Sequence, residues 1–533
     1  MDPVTVTTRI LHYNWAQFDD PGYRGGGVSV YLRNLLAATA KPGEVDYTIL
    51  SAGHHYTFFD RRCRYEETQN QFAAQGVRSF QILNSPVKAP AHDMFYDMET
   101  WRSDRKIAEV FAQVLRDQGP FDQVILHSLE GLSSEVLALP AAFPHTRFVY
   151  MWHNYMPICP QIELMWRNEE DCQDFEDGRK CQGCLMGMHQ VRPLIGAQRL
   201  GTSLERARLS GMPLGNFIFG TGFGLLKIGQ ALRDYGRDLR HNLRHAVSRD
   251  GQPKPGRGFQ SVDLGAQGPR PEGRPLTREA RGAGEYSSWR AVNLGLFKDW
   301  HAHFAVSQQV ADTIAPYGVE RDKLHVTPLG MDLHATPEIM RKRAQAKRRD
   351  PEKFRLSFIG YGIPSKGLPF LTKSLIQIPA PILREKVELT IFARLSEHDR
   401  LRLTPLENHL AGLRVVDGYE RRDLAKIASG IDLNIVPSIW RETFNQVTFE
   451  LLCLGTPSLL SSSVGLGMVY EDKDDFIFKS GDSADLVAKL SALVESPGRL
   501  ARFWDRPPVL PSMQDHFYQM QACLRQTHKE PQE

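Results

Sequence analysis

Short apolar runs alternate along this chain with segments whose apolar positions recur every three or four residues. In the first half, YTILSA, QVILHS and RFVYMWH have the unbroken apolar character of buried strands, and VYLRNLLAAT and RKIAEVFAQVLRD among them carry helical spacing. In the second half, FRLSFIG, VELTIFA, LRVVDG, IDLNIVPS and TPSLLSS predict strands, separated by the helical patterns PFLTKSLIQI, RDLAKIAS and NQVTFELLCL. Strand–helix alternation of this kind predicts a mainly parallel sheet covered by helices on both faces. Two such series predict two doubly wound α/β domains facing a cleft, with boundaries at 1–335 and 336–500. Ligands of open α/β sheets sit beyond the carboxyl ends of the strands, so chemistry-bearing residues matter most where they follow one.

Residues 186–290 break the alternation and predict a basic insert in the first domain. Residues 191–290 hold 17 Lys+Arg against 8 Asp+Glu, a net of +9, while the whole chain is only +3. Within the insert, 251–285 is rich in Gly and Pro and reads as a flexible, partly disordered loop. Just before it, Leu225, Ile228, Leu232, Tyr235, Leu239, Leu243 and Ala246 form one helical apolar stripe, with arginines on the other faces. A basic amphipathic helix over 223–248 fits an anionic membrane surface, and it equally fits a helix packed on its own domain.

At 533 residues the chain exceeds what one core supports, which again requires at least two domains. Near-neutral net charge, the lack of aromatics interleaved with the basic residues and the lack of a recognised module argue against nucleic acid as a partner. No apolar run reaches the roughly 18 residues of a spanning helix, and the first residues show no secretory signal. Seven cysteines, an odd number, fit a reducing compartment. The expectation is a soluble cytoplasmic protein, in peripheral contact with the membrane if the basic helix serves that end. Cys159, Cys172, Cys181 and Cys184 cluster within one short stretch, and the C-x-x-C of Cys181 and Cys184 is a common half of a tetrahedral zinc site. A structural zinc is the first reading, with an iron–sulfur cluster or plain reduced thiols as alternatives; His189 is a spare nitrogen ligand.

Four places carry chemistry, three of them after predicted strands. Gly26 and Gly27 open a helix, where bare amides favour a phosphate, although a simple tight turn uses the same residues. Lys366, in FIGYGIPSKGLPFL, is placed to neutralise a leaving diphosphate or to lie in solvent. Glu442 and Glu450 flank a predicted helix start whose Asn445, Gln446 and Val447 N–H groups suit a diphosphate; if both acids were helical they would stand about 12 Å apart. His127 and His153 each end a strand, where they either line the cleft or are satisfied structurally.

Taken in order, RGGGVSVYLRNLL, FAVSQQVADTIAPYGVERDKLHVTPLGMD, SFIGYGIPSKG and IDLNIVPSIWRETFNQVTFELLCLGTPSLLSSSVG resemble glycosyltransferase family 4. That resemblance spans about 9–190 and 290–480. It implies a GT-B fold, a C-terminal helix (501–533) crossing back to the first domain, and transfer of a sugar with retention from a nucleotide-diphosphate donor without a catalytic metal. By it, Glu442 meets donor-sugar hydroxyls and Glu450 the ribose; Lys366 and the Gly26–Gly27 loop hold the diphosphate; His127 or His153 lies near the donor sugar or the acceptor. The implied acceptor is a glycan or lipid-linked molecule of cell-surface polysaccharide synthesis. A subset of similar sequences carries such a cysteine-rich stretch. The chain departs from the family pattern at Tyr361, where an arginine usually stands, at Asn445 and at Leu451. Tyr361 removes a cation, which leaves a catalytically weak sugar-nucleotide-binding scaffold as the alternative; Arg394 is a candidate substitute.

Overall fold

The computed structural model describes residues 7–20, 25–185, 191–207 and 283–526, except Tyr96, His334, Arg348, Arg349 and Pro351, together with Thr221. The amphipathic stripe of 223–248, nearly all of the Gly/Pro-rich stretch and His189 lie outside the described residues.

The first sheet contains β1 (Thr8–Tyr13), β2 (Val45–His55), β3 (Arg64–Thr68), β4 (Arg78–Leu83), β5 (Gln123–Leu126) and β6 (Arg147–Trp152). After a two-stranded excursion, β7 (Met165–Trp166) and β8 (Glu170–Asp171), it is completed by β9 (Ala302–Ala305) and β10 (Leu324–Val326). Its order is β10-β9-β6-β5-β1-β2-β4-β3, parallel except where β3 meets β4. The second sheet contains β11 (Phe354–Ile359), β12 (Val387–Phe392), β13 (Gly412–Val416), β14 (Leu433–Val436), β15 (Ser458–Ser461) and β16 (Ile477–Phe478). Its order is β13-β12-β11-β14-β15-β16, parallel throughout. Both orders reverse direction at an internal strand, which is the doubly wound arrangement that opens a crevice at the strand ends.

The strands read as continuous apolar runs because helices cover both faces. β5 and β14 are buried at every position. The C-terminal helix Met513–Gln526 packs on the first domain. His516, fully buried in that helix, accepts a hydrogen bond from the Tyr31 hydroxyl through Nε2 (3.0 Å) and donates from Nδ1 to the Pro328 carbonyl (2.7 Å). Gln521 exchanges amide hydrogen bonds with Gln123 at the start of β5.

Helix Ala283–Leu296, whose first residues fall in the stretch expected to be flexible, belongs to the first-domain core. Trp289 stacks on Trp101 with ring centroids 5.6 Å apart, and Arg290 donates to the Ile158 carbonyl at 2.7 Å. Helix Val191–Arg206 also docks on this domain: Gln198 meets the His54 ring at 3.0 Å, and Thr202 accepts from the Tyr56 amide.

Candidate functional site

β14 ends in Pro437-Ser438, and the chain then turns through Ile439-Trp440-Arg441 before Glu442. Glu442 is not helical. Its amide donates to Ser463 O (2.9 Å) and its carbonyl accepts from Gly465 N (2.8 Å), a bridge that pins it beside the loop after β15. The helix begins at Gln446 because Asn445 reverses the chain in the left-handed region (φ 84°), which Asn tolerates, and caps the Thr448 amide through its side chain (3.0 Å). The two acids are therefore not separated by a helical rise, which corrects the distance expected from their spacing. Glu442 lies before the helix and Glu450 within it, both about 5% exposed. Gln446 and Val447 supply the free first-turn amides, while Asn445 is committed to its cap and to holding Glu442.

Lys366 reaches this point from the loop after β11. The approach depends on Gly367, whose φ is +79° and whose added Cβ would lie 1.7 Å from Pro437 O, an impossible contact. The Lys366 ammonium pairs with Glu442 Oε1 at 2.5 Å. The same carboxylate accepts from Asn445 Nδ2 (3.0 Å) and Ser438 Oγ (2.6 Å). Glu450 pairs with Arg421 Nε at 2.8 Å. Burial pushes the Glu450 carboxyl up and Arg421 partly restores it. Arg421 lies past the end of β13 and also donates to Asn34 Oδ1 of the first domain at 2.8 Å. Tyr361 is two-thirds exposed and contributes no charge, and Arg394 lies against Gly418. The second cation of the cleft is thus Arg421, which sequence reasoning missed although it follows a predicted strand.

The first domain faces this machinery with Gly26, Gly27, the histidines and the cysteine-rich stretch. Gly26 has φ +54°, and the Gly27 carbonyl accepts from Gln446 Nε2 at 3.0 Å, so the glycine loop meets the start of the Gln446–Cys453 helix. His127 does not line the cleft. It is fully buried, bonded through Nε2 to His12 and through Nδ1 to His153, each at 2.9 Å. Burial lowers all three rings: His12 and His153 to about 3, and His127 well below its ordinary value with help from its histidine neighbours. His153 is partly exposed, and its carbonyl accepts from Thr443 Oγ1 at 3.0 Å, one residue from Glu442. Arg441 bonds Asp171 of β8 at 2.9 Å. A cavity of about 700 Å³ opens beside Arg441 and Gly465, lined also by Gln173, Gln309 and Tyr317. Lys366 and Glu450 do not line it, so the charged cluster and not this cavity marks the chemistry.

Cys159, Cys172, Cys181 and Cys184 come together around one small apolar pocket. Burial pushes the Cys172 and Cys184 thiols up to about 11. Among the described residues, no group of three or more His, Cys, Asp or Glu side chains is placed to hold a metal ion. The four thiols form a buried cluster that packs the excursion after β6, and their placement gives the expected zinc set no support.

Two parallel sheets, with the charged cluster at the carboxyl ends of the second, define the GT-B fold. Residues 353–496 match the family described as Glycosyl transferases group 1. The chain is 26% identical over 204 residues to the D-inositol 3-phosphate glycosyltransferase of Pseudarthrobacter chlorophenolicus, covering 36% of this chain and 46% of that protein. It is 24% identical over 207 residues to the MMP alpha-(1->4)-mannosyltransferase of Mycolicibacterium hassiacum, covering 37% and 46%. The matches thus span about half the length of these curated relatives. Among solved structures, sucrose-phosphate synthase from Thermosynechococcus elongatus superposes with a TM-score of 0.54 at 14% identity, over 97% of this chain and 98% of that one. HepE of Anabaena in complex with UDP and glucose gives 0.51 at 13% identity, over 97% and 99%. At these identities the structural likenesses establish the fold.

Proposed function

We propose that this chain is a retaining hexosyltransferase that moves a sugar from a nucleotide-diphosphate donor to a glycan or lipid-linked acceptor. The observation that carries the proposal is the convergence of Lys366, Glu442, Glu450 and the first amides of the Gln446–Cys453 helix at one cleft. In this reading Glu442 accepts hydroxyls of the donor sugar and Glu450 those of the ribose. Lys366 and the amides of Gln446 and Val447 stabilise the charge that builds on the departing diphosphate. The group 1 match over 353–496 and a neighbour solved with UDP and glucose support such a donor. The anomeric bond breaks through an oxocarbenium-like state, and delivery of the acceptor on the face of the leaving group gives retention. We place the protein in the cytoplasm, working on cell-surface polysaccharide, with residues 223–248 as its contact with the inner membrane face.

The test is turnover of a panel of nucleotide sugars, followed as release of nucleoside diphosphate, with the anomeric configuration read by NMR. Glu442→Ala should lower turnover on the order of 10²–10³-fold, as expected for loss of a group aimed at the reacting sugar. A Glu442→Ala protein as active as wild type ends the assignment. The second reading, a sugar-nucleotide-binding scaffold, is favoured by the exposed, uncharged Tyr361 and by a lysine already paired internally. Binding of the nucleotide sugar without turnover would establish it.

A further inference from the structure

Glu163 lies in the excursion between β6 and β7, outside every motif considered so far. Both its neighbours adopt the left-handed region, Ile162 at φ 67° and Leu164 at φ 56°. That conformation is costly for branched side chains and persists only where the surroundings impose it. The surroundings do so here. Tyr155 N donates to the Ile162 carbonyl at 3.0 Å and Cys172 N to the Leu164 carbonyl at 2.7 Å. Gln161 Oε1 accepts from the amides of Glu163 (3.3 Å) and Met165 (3.1 Å), while Leu164 and Met165 are buried. The Arg441–Asp171 pair ties the same excursion to the turn before Glu442.

The Glu163 carboxyl lies within electrostatic reach of Lys366, Ser365 and Glu442 of the opposite domain, while the Lys366 ammonium itself pairs with Glu442. Burial pushes its carboxyl up, Lys366 and Ser365 draw it down, and Glu442 raises it again. Ser365 is itself buried, and its hydroxyl has no hydrogen-bond partner at standard geometry. Two carboxylates from opposite domains and one ammonium therefore share this part of the cleft. Lys366 is paired with Glu442, so an ionised Glu163 adds a negative charge that this lysine does not match.

We propose that Glu163 is a specificity-determining residue: together with Glu442 it accepts hydroxyls of a neutral sugar and repels an anionic one, such as a uronic acid. This rests on the donor-site reading above. Hydroxyls donate readily to carboxylates, whereas a sugar carboxylate would meet two like charges in a largely buried site. The cysteine-rich excursion then has a function, which is to carry a first-domain acid to the sugar bound by the second domain.

The experiment is isothermal titration of the full chain and its Glu163→Gln and Glu163→Asp variants. UDP, GDP and ADP are titrated first; binding of none of them overturns the donor-site reading itself. The glucose and glucuronate esters of the nucleotide that binds are titrated next. Wild type and Glu163→Asp should prefer the glucose ester by about tenfold or more, as two nearby like charges predict. Glu163→Gln should close most of that gap while leaving the bare nucleotide within about twofold, since the removed charge faces the sugar. The wild-type preference should also shrink as falling pH protonates Glu163, and the Gln variant should not follow it. A gap unchanged by Glu163→Gln, or equal shifts for the bare nucleotide and both esters, overturns the proposal.

Discussion

The first-domain wall of the cleft is backed by neutral rings, the buried His12 and His127 and the partly exposed His153, hydrogen-bonded ring to ring, whereas the second-domain wall carries Lys366 paired with Glu442 and Arg421 with Glu450. Burial explains the contrast. A ring enclosed by protein loses its proton, while the ammonium of Lys366 and the guanidinium of Arg421 sit against carboxylates. The histidine wall is thereby a fixed shape, and the charged wall is a set of pairs that an anionic ligand can exchange. The same difference predicts which wall answers to pH and which to ligand.

The largest effect belongs to the buried histidines. His516 lies beside Tyr31 at the back of that wall and is lowered by burial to about 4. In the unfolded chain it returns to about 6.5. Between those values the unfolded state binds the extra proton, so stability is complete above pH 6.5 and is lost as pH falls toward 4. One such ring accounts for about 3 kcal/mol across the window. His516→Gln keeps a donor for Pro328 and an acceptor for Tyr31 but does not titrate. Urea unfolding between pH 4 and 7 should give a flatter stability profile for it than for wild type. Parallel profiles would break the account of this wall as neutral by burial.

Next in size is Arg421. Its side chain is nearly half exposed while Glu450 is buried, so the pair contributes only about 0.2–1 kcal/mol. If the charged wall exchanges its internal pairs for ligand, Arg421→Ala should free Glu450 and tighten nucleoside diphosphate binding about threefold, measured calorimetrically. Weakening by tenfold instead would make Arg421 a group that holds the ligand, not one that covers Glu450.

How far these walls were legible in the sequence follows from the same contrast. Strands β5, β6, β11 and β14 were visible because they are buried at nearly every position, and β12 because its apolar positions alternate with half-buried ones. β3 was not, since RYEET is an edge strand paired on one side only, with its charged residues meeting solvent or Arg206 and Arg78. β1 was missed because His12, polar in sequence, is fully buried against Tyr47 and His127. Glu442 and Lys366 were legible because each follows a strand and precedes a helix, and Glu450 because it lies in the helix that Glu442 leads into. Glu163 and Arg421 were not singled out: charges in loops usually lie in solvent, and Arg421 meets Glu450 of its own domain and Asn34 of the other only once the chain is folded. The helix start was misplaced because nothing local announces the left-handed Asn445.

The smallest effect concerns what fastens the two walls together. Arg441 and Asp171 are 23% and 31% exposed, and a pair so open to water is worth at most about 1 kcal/mol. Asp171→Ala should therefore lower the melting temperature by no more than a few degrees. It should also leave the preference for a neutral sugar ester intact, because Glu163 is held by the backbone bonds of Ile162 and Leu164 and by the buried Leu164 and Met165, none of which uses the Asp171 side chain. If Asp171→Ala abolished that preference at an unchanged melting temperature, the ion pair and not the strained loop would be what aims Glu163 across the cleft. The first-domain wall would then owe its shape to the charged wall it faces.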